Sequence, residues 1–182
     1  MTRIDVGSVM RHSAKLPYTD LVTRTTGAAV RRCIEHELQS LQSGDVAMLD
    51  FSHIGMMDYS CADEVVAKLL IAHADHDAPM GFFVFHGITD AHLEAIEEVL
   101  DHHGLALVVH FADGGARLVG TVSDAERSAW NHVYLRGPSA AEELATAVGG
   151  DSVDVAPVLD SLLRRRLLRL EGAAYVPVGP LQ

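Results

Sequence analysis

The chain has 182 residues, 48% of them hydrophobic and 21% charged, which suffices for one medium domain or two small ones and excludes long disorder. Its formal net charge of −11 is uneven: residues 1–120 hold 8 Lys/Arg against 17 Asp/Glu, and residues 121–182 hold 6 against 8. The front part should repel nucleic acid and anionic membrane; no apolar run nears the roughly 20 residues of a membrane span, and the first residues lack a signal peptide's apolar core, so a cytoplasmic location is expected.

RIDVGSVM (3–10) reads as an edge strand and YTDLVTRT (18–25) as a better one, with β-branched residues before Gly27. After Gly27, Val30, Ile34, Leu38 and Leu41 recur at helical spacing, and Ser43-Gly44-Asp45 stops that helix. VAMLDF (46–51) is almost continuously apolar, as a central strand covered on both faces must be. IGMM (54–57) is a short strand, and a helix from about Ser60 to His73 puts Val65, Val66, Leu69 and Leu70 on one stripe. GFFVFHGI (81–88) is a strand, Thr89 opens a helix with Leu93, Ile96, Val99 and Leu100 on one face, and LALVVHF (105–111) is the next strand. Asp113-Gly114-Gly115 turns the chain into ARLVGTV. Strands alternating with helices of this length define an α/β layer fold over 1–120.

Residues 121–182 follow another pattern. SDAERSAWNHVYLRG (123–137) is helical, and Ser139 caps a second helix with Glu142 at the capping-box position. A third helix, about 154–168, carries Val155, Val158, Leu159, Leu162, Leu163 and Leu167, with Pro157 in its first turn. Leu168 to Leu170, Glu171-Gly172 and AAYVPV form a short hairpin. Three helices and a hairpin make a small second domain.

The stretch LDFSHIGMMDYSCADEVV resembles the STAS domain of anti-sigma-factor antagonists, and more closely a STAS-like family reading roughly LDF-x-G-V-x-x-x-S-S-x-A-D-E. Upstream, LVTRTTGAAVRRCIE is similar to the Thr-Arg and Gly that head the first helix of that family. The resemblance covers about residues 20–115. It implies a mixed sheet with packed helices and a protein-binding role toward kinase-like ATPases of the histidine-kinase fold or sigma-regulating proteins. In the antagonists the loop before this helix reads Asp-Ser-Ser-Gly and its first Ser takes a phosphate. The matching positions here are Asp58, Tyr59, Ser60 and Cys61, so Tyr59 replaces the acceptor.

Read from the residues, Ser60 opens a helix and accepts a hydrogen bond from the Asp63 N–H, with Asp63 and Glu64 adding favourable charge in the first turn. A phosphate on Ser60 or Tyr59 would crowd Asp58, Asp63 and Glu64 and could eject a partner. These three carboxylates show neither a cleft nor a raised pKa, so a solvated edge facing a partner is expected rather than an acid–base pair. Asp58, Tyr59, Ser60, Asp63 and Glu64 are therefore the expected partner-binding edge, on the loop and helix 58–70.

No nucleophile-elbow, Walker or dinucleotide-binding pattern occurs, and no enzyme activity or cofactor is expected. His73 and His76 with Asp75 and Asp77, and Asp101 with His102 and His103, lack zinc-site spacing, so no metal is expected. Cys33 and Cys61 are expected as buried free thiols.

SAAEELATAVGGDSVDVAPVLDSLLRRRLLRLEGAAYVPV resembles the second helix, recognition helix and wing of winged-helix regulators, which often carry Gly where Arg166 stands. Arg164, Arg165 and Arg169 are the candidate DNA contacts. They fall at the end of the helix, whereas its start offers Asp154, Pro157, Asp160 and Ser161. A signalling adaptor that binds a regulatory protein is thus the leading expectation, and a DNA-binding transcription regulator the alternative.

Overall fold

The computed structural model describes residues 1–42, 44–73, 81–111, 113–149 and 155–179. The chain divides into two compact units, Met1–Thr121 and Val122–Gln182. Among the described residues no helix is long and apolar enough to cross a membrane.

The N-terminal unit is mixed α/β. Its strands are β1 (Thr2–Asp5), β2 (Val46–Asp50), β3 (Phe82–His86), β4 (Ala106–His110) and β5 (Ala116–Gly120). They form one sheet in the order β1-β2-β3-β4-β5, parallel up to β4 and closed by an antiparallel hairpin to β5. Its helices are α1 (Val6–Ser8), which widens into the π-helical stretch Val9–Ser13, then α2 (Arg24–Leu38), α3 (Tyr59–Ala62), α4 (Lys68–Ala72) and α5 (Asp90–His103). A second π-helical stretch, Asp63–Ala67, joins α3 to α4, so 59–72 is one continuous helix.

Strand period and helix period meet in one core. Ile4, Leu49, Phe85 and Val109 stand in register across the four parallel strands. All four join Val30, Ile34 and Leu38 of α2, Val65, Val66 and Leu69 of the 59–72 helix, and Ile96, Val99 and Leu100 of α5 in a single buried cluster. Each such side chain contributes about 1.5–3 kcal/mol of burial. One residue further along the strands, Asp50 ends β2 fully buried. It accepts hydrogen bonds from the Ser52 N–H and hydroxyl (3.0 and 2.6 Å) and pairs with Arg3.

Two expected strands are not strands. The segment 18–25 and the run 54–57 share one isolated parallel bridge, Leu21 to Met57, in place of a strand ladder, and α2 already starts at Arg24. The β-branched residues of TRTT serve the helix start: Thr23 is the N-cap, its side chain accepting from the Thr26 N–H. The edge strand ends at Asp5, whose carboxylate caps the turn into α1.

The C-terminal unit consists of α6 (Asp124–Arg136), α7 (Ala141–Val148), α8 (Ala156–Arg164) and the hairpin β6 (Leu168–Glu171) to β7 (Ala174–Pro177), with a bridge from Ser139 to Tyr175. Ser123 and Glu126 form a reciprocal capping box on α6. Trp130 is buried and its indole N–H donates to the Leu167 carbonyl at 3.2 Å. The cap of α7 lies one residue beyond the expected position. Ala140 occupies it, Glu143 accepts its N–H, and Ser139 is taken by the bridge to β7. Arg166 stands at φ 56°, in the left-handed region that favours glycine. The expected helix start at Asp154 and the turn at 150–151 lie outside the described residues.

Candidate functional site

The corner beneath the motif is built from two loops and two helix starts. Segments 19–22 and 55–58 run side by side, with the Leu21 N–H donating to the Met56 carbonyl (2.7 Å), Asp58 N–H to Leu21 (3.0 Å) and Gly55 N–H to Thr19 (3.2 Å). Leu21 and Met57 turn inward and are buried, while Tyr18, Val22 and Met56 are exposed. His92, buried on α5, ties this corner down. One ring nitrogen accepts the Thr89 N–H and the other donates to the Gly55 carbonyl at 2.9 Å.

Asp58 staples the two helices. One carboxylate oxygen accepts the Cys61 N–H (2.8 Å) and the Ser60 hydroxyl (2.9 Å), and the other accepts the Thr23 N–H at the head of α2 (3.1 Å). The cap of α3 is therefore Asp58, not Ser60 as the sequence suggested. An N-cap carboxylate reaches the third helical N–H, which here belongs to Cys61, and Ser60 sits too far inside to do so. Burial works to raise the Asp58 pKa, but bonds from the Cys61 and Thr23 N–H groups and the Ser60 hydroxyl hold it below the usual carboxylate range.

Thr23 sits at φ 76°, a strained choice for a β-branched residue, costing on the order of 1–3 kcal/mol. The surroundings hold it there: Asp58 takes its N–H, and its carbonyl accepts the Cys61 thiol (2.9 Å) and the Gly27 N–H (3.1 Å). Burial and the nearby Asp58 charge push the Cys61 thiol up to about 12, which makes it an inert donor rather than a nucleophile. Cys33 is also a free thiol, only partly buried. Tyr59 and Ser60 are half-buried, and Tyr59 leans on the core.

Asp63 and Glu64 do not form a solvated acidic edge. Their side chains are 9% and 5% exposed and lie beneath Arg24 and Lys68, which are 53% and 40% exposed. Arg24 reaches Asp63 at 2.5 Å and Glu64 at 3.1 Å. Arg31 meets Glu64 at 3.4 Å, Lys68 pairs with both carboxylates, and His103 Nε2 lies 2.8 Å from Asp63. Burial alone would raise both carboxyl pKa values. Hydrogen bonds from Arg24 and His103 to Asp63, and from Lys68 and Arg24 to Glu64, hold both below their ordinary range. The face offered to a visitor carries the cations, opposite in sign to the one expected.

These contacts give the two motif stretches one physical meaning. A Cβ on Gly27 would come within 3.0 Å of the Cys61 Cα and the Glu64 Cβ, so glycine lets α2 lie directly on the 59–72 helix. Arg24, one turn before it, then reaches the Asp63-Glu64 pair. Arg24, Arg31 and His92 are the members that sequence reasoning missed, and His103 enters it only as a metal-ligand candidate. The available signal was the opposite charge of Arg24 and of the Asp63-Glu64 pair.

The candidate DNA contacts of the C-terminal unit are also paired with acids. Arg164 pairs with Asp160 (3.0 Å) and Arg169 with Glu171 (3.2 Å). Arg165 meets Glu126 at 3.2 Å, a carboxylate that also accepts the Ser161 hydroxyl at 2.7 Å. As positioned, each candidate DNA contact already holds an acid. The His73 ring nitrogen bonds the Leu69 carbonyl at 2.7 Å, and His76, with Asp75 and Asp77, lies outside the described residues. His102 and His103 stack edge to face, and Asp101 accepts the Thr121 hydroxyl at 3.2 Å. Comparison with family models, curated proteins and solved structures finds no match for this chain.

Proposed function

We propose that the protein is a non-enzymatic signalling adaptor of STAS-like build, and that a regulatory protein docks on the corner where segments 18–23 and 54–60 meet. The observation that carries this reading is the exposed trio Tyr18, Val22 and Met56 on a backbone pinned by Asp58 and His92. Large apolar side chains held out to solvent on a rigid frame are the usual anchors of a protein interface. Tyr59 and Ser60 follow the 54–58 segment along the chain, and Arg24 of α2 and Lys68 supply positive charge over Asp63 and Glu64. Asp58, Asp63 and Glu64 then act as supports that fix the surface rather than as contacts. Any phosphate on Ser60 would have to displace its bond to Asp58, which couples such a modification to the staple.

By its resemblance the partner is a kinase-like ATPase of the histidine-kinase fold or a sigma-regulating protein, and the sequence pattern favours a cytoplasmic setting. Affinity purification from the native cell, with wild type beside Met56→Asp and Val22→Asp, tests the reading. A partner recovered by wild type and lost with either variant supports it, and equal recovery by all three refutes it.

A second reading, DNA binding by a winged-helix-like C-terminal unit, draws on three helices followed by a hairpin that Ser139 bridges. It requires Arg164, Arg165 and Arg169 to exchange their carboxylates for phosphates. Duplex binding that weakens with salt and disappears when the three become Ala would establish it.

A further inference from the structure

The C-terminal unit contains an open cavity of about 450 Å³ lined by His132, Arg136, Pro138, Ser139, Glu143 and Thr146. That volume is in the range of small-molecule sites. Three of its polar groups are engaged in the fold: the Ser139 hydroxyl donates to the Gly137 carbonyl (2.9 Å), the Thr146 hydroxyl to the Glu142 carbonyl (3.2 Å), and Glu143 accepts the Ala140 N–H (2.9 Å). Arg136 and His132 differ. They lie one turn apart on α6, and neither side chain has a partner among the described residues. Elsewhere in this unit Arg164, Arg165 and Arg169 each hold a carboxylate.

An uncommitted guanidinium and imidazole on one wall are donors for an anion. Glu143 on the same cavity disfavours a doubly charged anion and offers an acceptor instead. We propose that this cavity binds a small monocarboxylate carrying a hydroxyl or ammonium group, with Arg136 and His132 donating to its carboxylate and Glu143 accepting from the second group. Pro138 supplies an apolar wall against the ligand's carbon skeleton. Every residue of this site lies in the C-terminal unit, so its test does not depend on the docking corner's residues.

Calorimetric titration of the full chain with L-serine, lactate, acetate and inorganic phosphate, in parallel with a short DNA duplex, provides the test. The expected result is millimolar or tighter binding of L-serine or lactate, weaker binding of acetate, and a loss of about tenfold or more in Arg136→Gln. Arg164→Gln, in the same unit, should bind like wild type, and circular dichroism should show both variants folded. Phosphate bound more tightly than the carboxylates, binding of the duplex alone, no binding of any probe, or an affinity that ignores Arg136→Gln would each overturn the proposal.

Discussion

The Asp63-Glu64 pair and Arg164 are both charged groups near a helix end, yet the fold treats them in opposite ways. Asp63 and Glu64 meet partners brought from far along the chain, the cations Arg24 and Arg31 of α2 and the His103 ring of α5, and are buried beneath them. Arg164 finds its partner one turn back at Asp160, and both side chains stay in water, 60% and 63% exposed. Asp63 and Glu64, paired across elements, become part of the packing, as Glu126 does beneath Arg165, whereas Arg164, paired only along its own helix, remains surface. The sign that a cluster shows to solvent is therefore decided by tertiary partners and not by its own residues.

The contrast can be broken most severely at Gly27. Gly27→Val drives a branched side chain into the Cys61 backbone and should cost about 3 kcal/mol, seen in urea unfolding as a lower midpoint. Unchanged stability would mean that α2 and the 59–72 helix are not in close contact. Asp58→Ala removes the acceptor of two helix-start N–H groups and one hydroxyl and should cost about 2 kcal/mol in the same measurement. Ser60→Ala, which leaves the cap in place, should cost far less.

Acid sharpens the comparison between the units. Asp50, Asp58, Asp63 and Glu64 in the first, and Glu126 in the second, have pKa values lowered by folding despite burial, which pushes them upward. A carboxylate with a depressed folded pKa stabilises the protein above its unfolded pKa and loses that contribution as pH falls through the folded value. Stability should thus be flat above roughly pH 6 and fall progressively below about pH 5. The fall should be steeper for the N-terminal unit. Hydrogen exchange of α2 amides reports that unit, and fluorescence of Trp130, the single tryptophan, reports the other. Equal slopes would contradict the difference. The smallest effect belongs to Arg164→Ala, where a solvated pair should change stability by less than about 0.5 kcal/mol.

Much of the fold is legible in the sequence because periodicity records burial. The continuous apolar run of β2, the stripe of α5 and the leucine-rich α8 follow from spacing alone. Errors fall where a side chain serves a cap or a distant contact. Segment 18–25 has strand composition, but Thr23 caps α2 by accepting the Thr26 N–H. Ser60 has cap chemistry, but Asp58 lies two residues earlier, where the third helical N–H comes within reach. At the candidate site the sequence identifies the residues and misplaces their roles. Asp63 and Glu64 look like a surface until Arg24, about forty positions upstream, is laid over them by a glycine contact. The exposed trio Tyr18, Val22 and Met56 is invisible in one dimension, since nothing local separates them from the inward-facing Leu21 and Met57.

The central claim is that a protein partner seats on that trio. A photo-crosslinking phenylalanine analogue placed at position 56, with a control at the exposed Glu97 of α5, tests it directly in the native cell. The account predicts one discrete crosslinked species from position 56, absent from position 97 and lost when Val22→Asp is added. Crosslinking from position 56 that matches position 97 and ignores Val22→Asp would contradict it.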